Sequence, residues 1–363
     1  MKFEVEKQAM LNGLKKVSGA IGKTNLPILN NVLIQAGNDG SLCMVATDTE
    51  ITIKVKVGAI VANEGVITLP AKKLLQIVNA MPNDSIYFDV DMEKCFAKIE
   101  CGKSVFRIAG MSADDYPESS KKDGAKFNII GSDLCSMLSN VVHSVANDIS
   151  RPVMCGVYFA VNGGNINAVT TDGRRMAKSM IDMDETIGGE SAILPTRAVG
   201  EIIKAFSTDN DVSVTIGTSD ASFGTNETVL TTKLIDGEFP AYQRIIPQSF
   251  AANAVIPKQM FVNAVNRASM VSSETSPVVS IKLSCDELTV SANSPELGEC
   301  VESFEIEYDN NESIELRSNP QFLADAVKGI NGDTFELNIN DNVSPMLIKD
   351  NNGYMAIVMP MRG

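Results

Sequence analysis

The sequence predicts an α+β protein of three repeated domains, each with two helices and antiparallel sheets. Three observations carry that reading. Short amphipathic helical patterns open near Lys7, Ala71, Ser132, Thr196, Lys258 and Pro320, at intervals of 64, 61, 64, 62 and 62 residues. Motifs recur at twice that interval: Ala46-Thr47-Asp48-Thr49-Glu50 matches Thr170-Thr171-Asp172-Gly173-Arg174 at an offset of 124, and Thr68-Leu69-Pro70-Ala71 matches Ile193-Leu194-Pro195-Thr196 at 125. Between the helical patterns lie alternating, strand-like runs. Solenoid repeats span roughly 20 to 50 residues, so this longer period indicates triplicated domains and invites a closed, symmetric architecture.

Taken in order, the N-terminal Met1–Glu6 alternates charged and apolar residues and reads as a strand, not a signal peptide, so export is not expected. Pro70, Pro195, Pro257 and Pro320 precede or open four of the helices, where a missing N–H costs nothing. Each helical stretch carries an apolar stripe at i, i+3/i+4. Ile51–Val57 and Phe304–Glu307 alternate as strands. Asn38-Asp39-Gly40, Asn162-Gly163-Gly164 and Asn351-Asn352-Gly353 are hairpin turn signals. Gln8-Ala9-Met10 and Gln259-Met260-Phe261 open equivalent helices, and Ala292-Asn293-Ser294-Pro295-Glu296 takes the place of the Thr-Asp turns in the last third. The unit is one helix plus about four strands, given twice per domain, with the helices on one sheet face. Boundaries fall in the polar segments Tyr116–Lys126 and Pro247–Asn253, giving domains 1–120, 127–247 and 253–363.

Composition fits a soluble protein: 363 residues, 44% hydrophobic, mean hydropathy +0.04. That length supports two or three domain cores. No apolar run reaches the roughly 18 residues of a membrane span, so no membrane partner is expected. Seven scattered cysteines without a CxxC pair fit reduced thiols in a cytosol, although Cys95 and Cys101 share one predicted hairpin. The net charge of −14 taken alone disfavours nucleic acid. Its placement tells more. The helical stretches hold ten basic residues, Lys328 among them, against four acidic ones, a balance of +6 that leaves −20 elsewhere. Two readings fit: basic residues decorating solvated helices, or a positive helical surface facing a polyanion, backed by acidic sheets.

Chemistry-bearing motifs are sparse. One histidine, His143, excludes a multi-His metal site and reads as a helix-surface or packed residue. There is no GxxxxGK[ST] loop, GxGxxG fingerprint or GxSxG elbow. Asp114-Asp115 and Asp48/Glu50 are acidic pairs of a kind common in so acidic a chain. No catalytic residue, metal or cofactor is expected; the alternative, an enzyme hidden in an acidic cleft, lacks a recognisable nucleophile setting. Two segments suit peptide binding. Tyr354–Arg362 is apolar, with Met359, Pro360 and Met361 beyond the strand's expected end. Thr171–Met176 is a turn with two adjacent arginines. Each also reads simply, as a last strand and as a solvated hairpin.

In order, Leu26-Pro27-Ile28-Leu29-Asn30-Asn31, Ala46–Glu50, Thr171–Met176, Asp236-Gly237-Glu238-Phe239-Pro240-Ala241-Tyr242 and Met359-Pro360-Met361-Arg362 resemble the bacterial sliding clamps, the beta subunits of DNA polymerase III, over essentially the whole chain. The resemblance implies a cytoplasmic, non-enzymatic processivity factor: a head-to-tail homodimer ring with helices lining the hole. Duplex DNA would be held through sequence-independent phosphate contacts. Topological tethering is compatible with an acidic chain. The DNA-facing residues would be Lys7, Lys15, Lys16, Lys23, Lys72, Lys73, Arg197, Lys204, Lys258 and Arg267. Lys23 stands where the family usually has Arg, keeping the charge but not the fork.

The resemblance further implies a groove for Gln-Leu-x-Leu-Phe motifs of the DNA polymerase III alpha subunit, other polymerases and the clamp-loader complex, which alone would consume ATP. Met154, Thr171, Gly173, Arg175, Met176, Pro240, Arg244 and Ile245 would line it from the second domain. The third would add Asn319, Phe322, Val343, Ile357, Met359, Pro360, Met361 and Arg362. Arg174 stands where His is common, Pro345 replaces a small polar residue, and Gly363 replaces a terminal Leu. Phe106, Met270 and Val271 match dimer-interface positions, with Lys103 and the Glu299/Glu302 region adding ion pairs. A clamp-fold paralogue acting only as a peptide-binding scaffold is the alternative.

Overall fold

A computed structural model describes residues 1–22, 24–117, 124–183, 189–209, 211–273 and 275–361. Among the described residues lie six α-helices: α1 (Lys7–Ser18), α2 (Ala71–Ala80), α3 (Gly131–Val141), α4 (Thr196–Phe206), α5 (Lys258–Ser269) and α6 (Pro320–Ala326). Five open at the residue the sequence indicates and α3 opens one residue before Ser132. Because α6 ends at Ala326, Lys328 lies just past the helix rather than within it. Each helix buries one stripe; in α1 it is Met10, Leu11, Leu14 and Val17.

The chain packs as two compact units, residues 1–135 with 197–234, and residues 136–196 with 235–363. The first unit holds two antiparallel sheets. One has the strand order Ile60–Asn63, Lys2–Glu6, Ser85–Asp91, Phe96–Cys101, Ser104–Ala109. The other has eight strands and is continuous across the pairing of Ile51–Gly58 with Thr228–Lys233, where Ile53 lies opposite Leu230. In the second unit a nine-stranded sheet is continuous across Arg175–Asp182 and Tyr354–Val358, with Met176 opposite Ile357. A four-stranded sheet runs Gly298–Glu305, Glu287–Ser294, Val279–Ser284, Ile314–Ser318. All three predicted hairpin turns join adjacent antiparallel strands.

The repeated Thr-Asp motifs build the same turn twice. The Thr47 hydroxyl donates to the Ile51 carbonyl at 3.1 Å, and Thr171 to Arg175 at 2.8 Å. Asp48 Oδ1 accepts the N–H groups of Glu50 and Ile51; Asp172 Oδ1 accepts those of Arg174 and Arg175. Both turns need a left-handed residue: Gly173 sits at φ 87°, but its counterpart Thr49 is β-branched at φ 79°. Thr49→Gly therefore relieves strain and raises stability by about 1 kcal/mol, read as a shift in the urea midpoint. A loss of stability would show that Thr49 is accommodated without cost.

One sequence expectation is corrected. Phe304–Glu307 is not one strand: Gly298–Glu305 ends in the four-stranded sheet, and Glu307–Tyr308 joins the nine-stranded one. Between them the buried Ile306 donates its N–H to the Asp286 carbonyl at 2.9 Å. Alternation cannot register a chain that changes sheet. Cys95 and Cys101 flank the strand Phe96–Cys101 at opposite ends instead of facing each other, and all seven cysteines are free.

Candidate peptide-binding groove

Within the second unit, the continuous nine-stranded sheet brings together the two segments that the sequence singles out. Register sets Arg175 opposite Val358 and Met176 opposite Ile357. Under them lies an apolar cluster of Val169, Met176, Ile193, Phe239, Tyr242, Leu347 and Ile357. Tyr158 stacks on Phe239 at 5.0 Å between ring centroids, adding rigidity to one side. The loop Asp236–Tyr242 reaches this cluster through Gly237, at φ 126°, where a Cβ would come within 2.6 Å of Val153 Cγ1.

The chain's last strand ends at Val358, and the tail continues as a strap. Met359 donates its N–H to the Arg174 carbonyl at 2.9 Å, and Met361 to the Arg317 carbonyl at 2.7 Å. Backbone bonds at both ends fix the path while Met359 stays 40% exposed. Two other apolar residues assigned to the groove also stay in solvent. Val343 is 58% exposed on a turn held by Asp341, which accepts the N–H groups of Val343 and Ser344. Ile245 is 46% exposed on the 3₁₀ turn Tyr242–Ile245, which also carries exposed Arg244. Met154 is buried at the end of the 3₁₀ turn Pro152–Met154. Of the residues assigned to the groove, Thr171, Met176 and Ile357 are buried, Gly173 and Pro240 exposed, and Asn319, Phe322, Pro360 and Met361 half-buried. Arg362 and Gly363 lie outside the described residues.

Arg175 is a junction. Its Nε donates to Asp172 Oδ2 at 3.1 Å, its Nη1 to Asp325 Oδ2 at 2.8 Å, and its guanidinium carbon lies 4.3 Å from the Phe322 ring centroid. Burial disfavours ionisation of Asp325, but bonds from Lys328, Arg175 and Gln321 outweigh it and hold the carboxyl below the usual range. Sequence reasoning missed Asp325, which lies 150 residues from Arg175. It also missed Phe239, Tyr242 and Leu347 as floor residues; the first two sit in a quoted motif, which was a usable signal.

His143 is a packed residue, on the 3₁₀ turn Val142–Ser144 that follows α3. The Tyr354 hydroxyl donates to the Ala326 carbonyl at 2.8 Å, so its oxygen accepts from His143 Nε2 at 3.3 Å and Ser144 donates to Nδ1 at 2.9 Å. With the proton on Nε2, the neutral imidazole that burial favours leaves Nδ1 to accept from Ser144. Burial lowers the His143 pKa from 6.5 to about 4. The unfolded chain thus binds the extra proton between those values. The associated stability is full above pH 6.5 and is lost as pH falls towards 4, by about 3 kcal/mol. His143→Gln should make the melting temperature fall less steeply over that range than in the parent; equal slopes would mean that the imidazole titrates as if in water.

The basic helix residues have diverse fates. Lys7 Nζ donates to the Met81 carbonyl at 2.5 Å and Lys258 Nζ to the Ile330 carbonyl at 2.6 Å. Lys7 thereby caps the end of α2, whose C-cap is Met81, whereas Ile330 lies four residues beyond the end of α6. Arg197 pairs with Asp48 and donates to the Gly19 carbonyl at 3.1 Å; Arg267 pairs with Glu302. Lys204 bonds Glu201 at 2.8 Å and Lys16 bonds Thr228 at 3.2 Å. Lys15, Lys72 and Lys73 are exposed. Lys23 lies outside the described residues. Of the residues assigned to a dimer contact, Phe106 is 39% and Met270 74% exposed, and Val271 is half-buried. No described helix is long and apolar enough to cross a membrane.

The family profile of the DNA polymerase III beta subunit matches in three parts: the N-terminal domain over residues 1–120, the central domain over 128–241 and the C-terminal domain over 243–362. The beta sliding clamp of Pseudomonas aeruginosa is 30% identical over the full length of both chains. That of Chlamydia muridarum is 29% identical over 100% of this chain and 99% of its own. A crystal structure of the Pseudomonas aeruginosa sliding clamp bound to griselimycin superposes with a TM-score of 0.95 at 29% identity, covering 100% of each chain. Shared length, shared architecture and all three domains in order lead to one conclusion: the chain belongs to the bacterial sliding clamp family, the beta subunits of DNA polymerase III.

Proposed function

We propose that this chain works in the cytoplasm as a replication clamp, two copies closing head to tail into a ring around duplex DNA. It is a processivity factor and not an enzyme. Three domains, at 1–120, 127–247 and 253–363, would place α1 to α6 towards the hole. Exposed Lys15, Lys72 and Lys73 would supply mobile phosphate contacts, and the paired Lys204, Arg197 and Arg267 weaker ones. The groove would bind Gln-Leu-x-Leu-Phe motifs of the polymerase alpha subunit, other polymerases and the clamp loader.

The observation that carries the partner-binding part is the pinned tail beside an apolar floor. Met359, Val343 and Ile245 remain exposed while Met176 and Ile357 are buried in the floor, so anchors can dock without first unfolding a wall. For the ring, support comes from open sheet edges: Ser104–Ala109 ends the five-stranded sheet and Gly298–Glu305 the four-stranded one.

The test is retention on DNA after loading by a clamp loader. The protein should co-elute with nicked circular plasmid in gel filtration and be released when the plasmid is cut. Equal retention on circular and linear DNA would overturn encirclement. Peptide binding without circle retention would make the chain a scaffold.

A further inference from the structure

We propose that Asp325 is a positioning residue of the peptide groove, holding Arg175 beneath Phe322 and so setting the wall that α6 presents. The inference rests on the groove reading above. Helix α6 has seven residues, too short to be stable alone, so its placement is decided by its ties. Three are visible. Asn319 caps its start by accepting the Gln321 N–H at 2.9 Å. Tyr354 donates to the carbonyl of Ala326 at its end. The third is the bond from Arg175 to Asp325, and of these three hydrogen bonds it is the one that reaches a residue assigned to the opposite side of the groove.

Phe322 and Asp325 are three residues apart and share a helix face. Both address one guanidinium: the carboxylate takes Nη1 and the ring covers its carbon. Asp172 takes Nε, so the fork is held at two points and cannot rotate out from the ring. The side chains of Arg175 and Asp325 are only 13% and 8% exposed, which makes their mutual charge compensation strong and its loss expensive. Gln321 and Lys328 bond the other carboxylate oxygen, Oδ1, at 2.9 and 2.5 Å. Asp325 thus serves two sets of donors, and only the Oδ2 set reaches Arg175.

That division gives the test. Affinity for a fluorescein-labelled Gln-Leu-Ser-Leu-Phe peptide is measured by anisotropy, and the Arg175 Nη–H signals by NMR, in the full-length protein. Asp325→Asn should weaken the peptide at least tenfold and shift the Nη1–H signal, which reports the bond to Asp325, towards that of free arginine. Lys328→Ala should stay within twofold of the parent and leave the signal in place. If Asp325→Asn does not fold, Asp325→Glu keeps the charge but displaces it, and should weaken binding in the same way. Unchanged affinity in a folded Asp325 variant, or an equal loss in Lys328→Ala, would overturn the assignment. A parent protein that binds no peptide would remove the groove reading itself, and this inference with it.

Discussion

Removing residues 359–363 should abolish partner binding, weakening a Gln-Leu-x-Leu-Phe peptide at least about 100-fold, a loss of roughly 3 kcal/mol. The last strand, Tyr354–Val358, ends before the deletion, so its ladders to Arg175–Asp182 and Met346–Lys349 remain. What disappears is the strap: two backbone bonds to Arg174 and Arg317, and the side chains of Met359, Pro360 and Met361. One apolar anchor contributes roughly 1.5–3 kcal/mol when fully buried, so losing two thioethers is enough for the predicted effect. Thermal melts of the truncated chain should overlay those of the parent within a few degrees. Retained stimulation of a polymerase by the truncated protein would place the partner site elsewhere.

Combining Phe106→Ala with Met270→Asp should convert the proposed ring to monomers and eliminate retention on closed circles. The strand Ser104–Ala109 is an edge, with unpaired backbone groups along one side and Val105 and Phe106 in solvent. The strand Gly298–Glu305 is another edge, with Val301 58% exposed. Unprotected apolar edges are pairing templates. Alanine removes an aromatic anchor from one side, while aspartate brings a charge that must be desolvated without a partner on the other. Light scattering at low micromolar concentration reports the outcome directly; a persistent dimer would mean that the subunits join through other surfaces.

The helices were legible because their signals are local: a proline at the opening, an apolar stripe, and a spacing that recurs. The Thr-Asp turns were legible for the same reason, down to Thr49 occupying the position of Gly173. Sheet membership was not. Nothing near Ile51–Gly58 announces Thr228–Lys233 as its neighbour, and alternation looks the same whichever strand lies beside it. The groove's apolar residues could be carried over from a family likeness, but the Asp325 tie could not, because it is made by folding together residues 150 positions apart. Charge segregation was read correctly as composition and incompletely as availability. Lys7 and Lys258 spend their ammonium groups on backbone carbonyls, and Arg197 and Arg267 on carboxylates.

The two joined sheets bear on modularity. The sequence repeats in thirds, yet backbone pairing stitches the middle third to its neighbours on both sides, through Thr228–Lys233 and through Arg175–Asp182. Excised alone, residues 128–241 would carry two raw ladders where their partners had been and would be prone to self-association. The folded product therefore does not divide along the boundaries of its sequence repeats. Calorimetry of the intact subunit should resolve cooperative blocks that follow the two compact halves, each built from two separate stretches of chain, and fragments cut at the repeat boundaries should lose solubility.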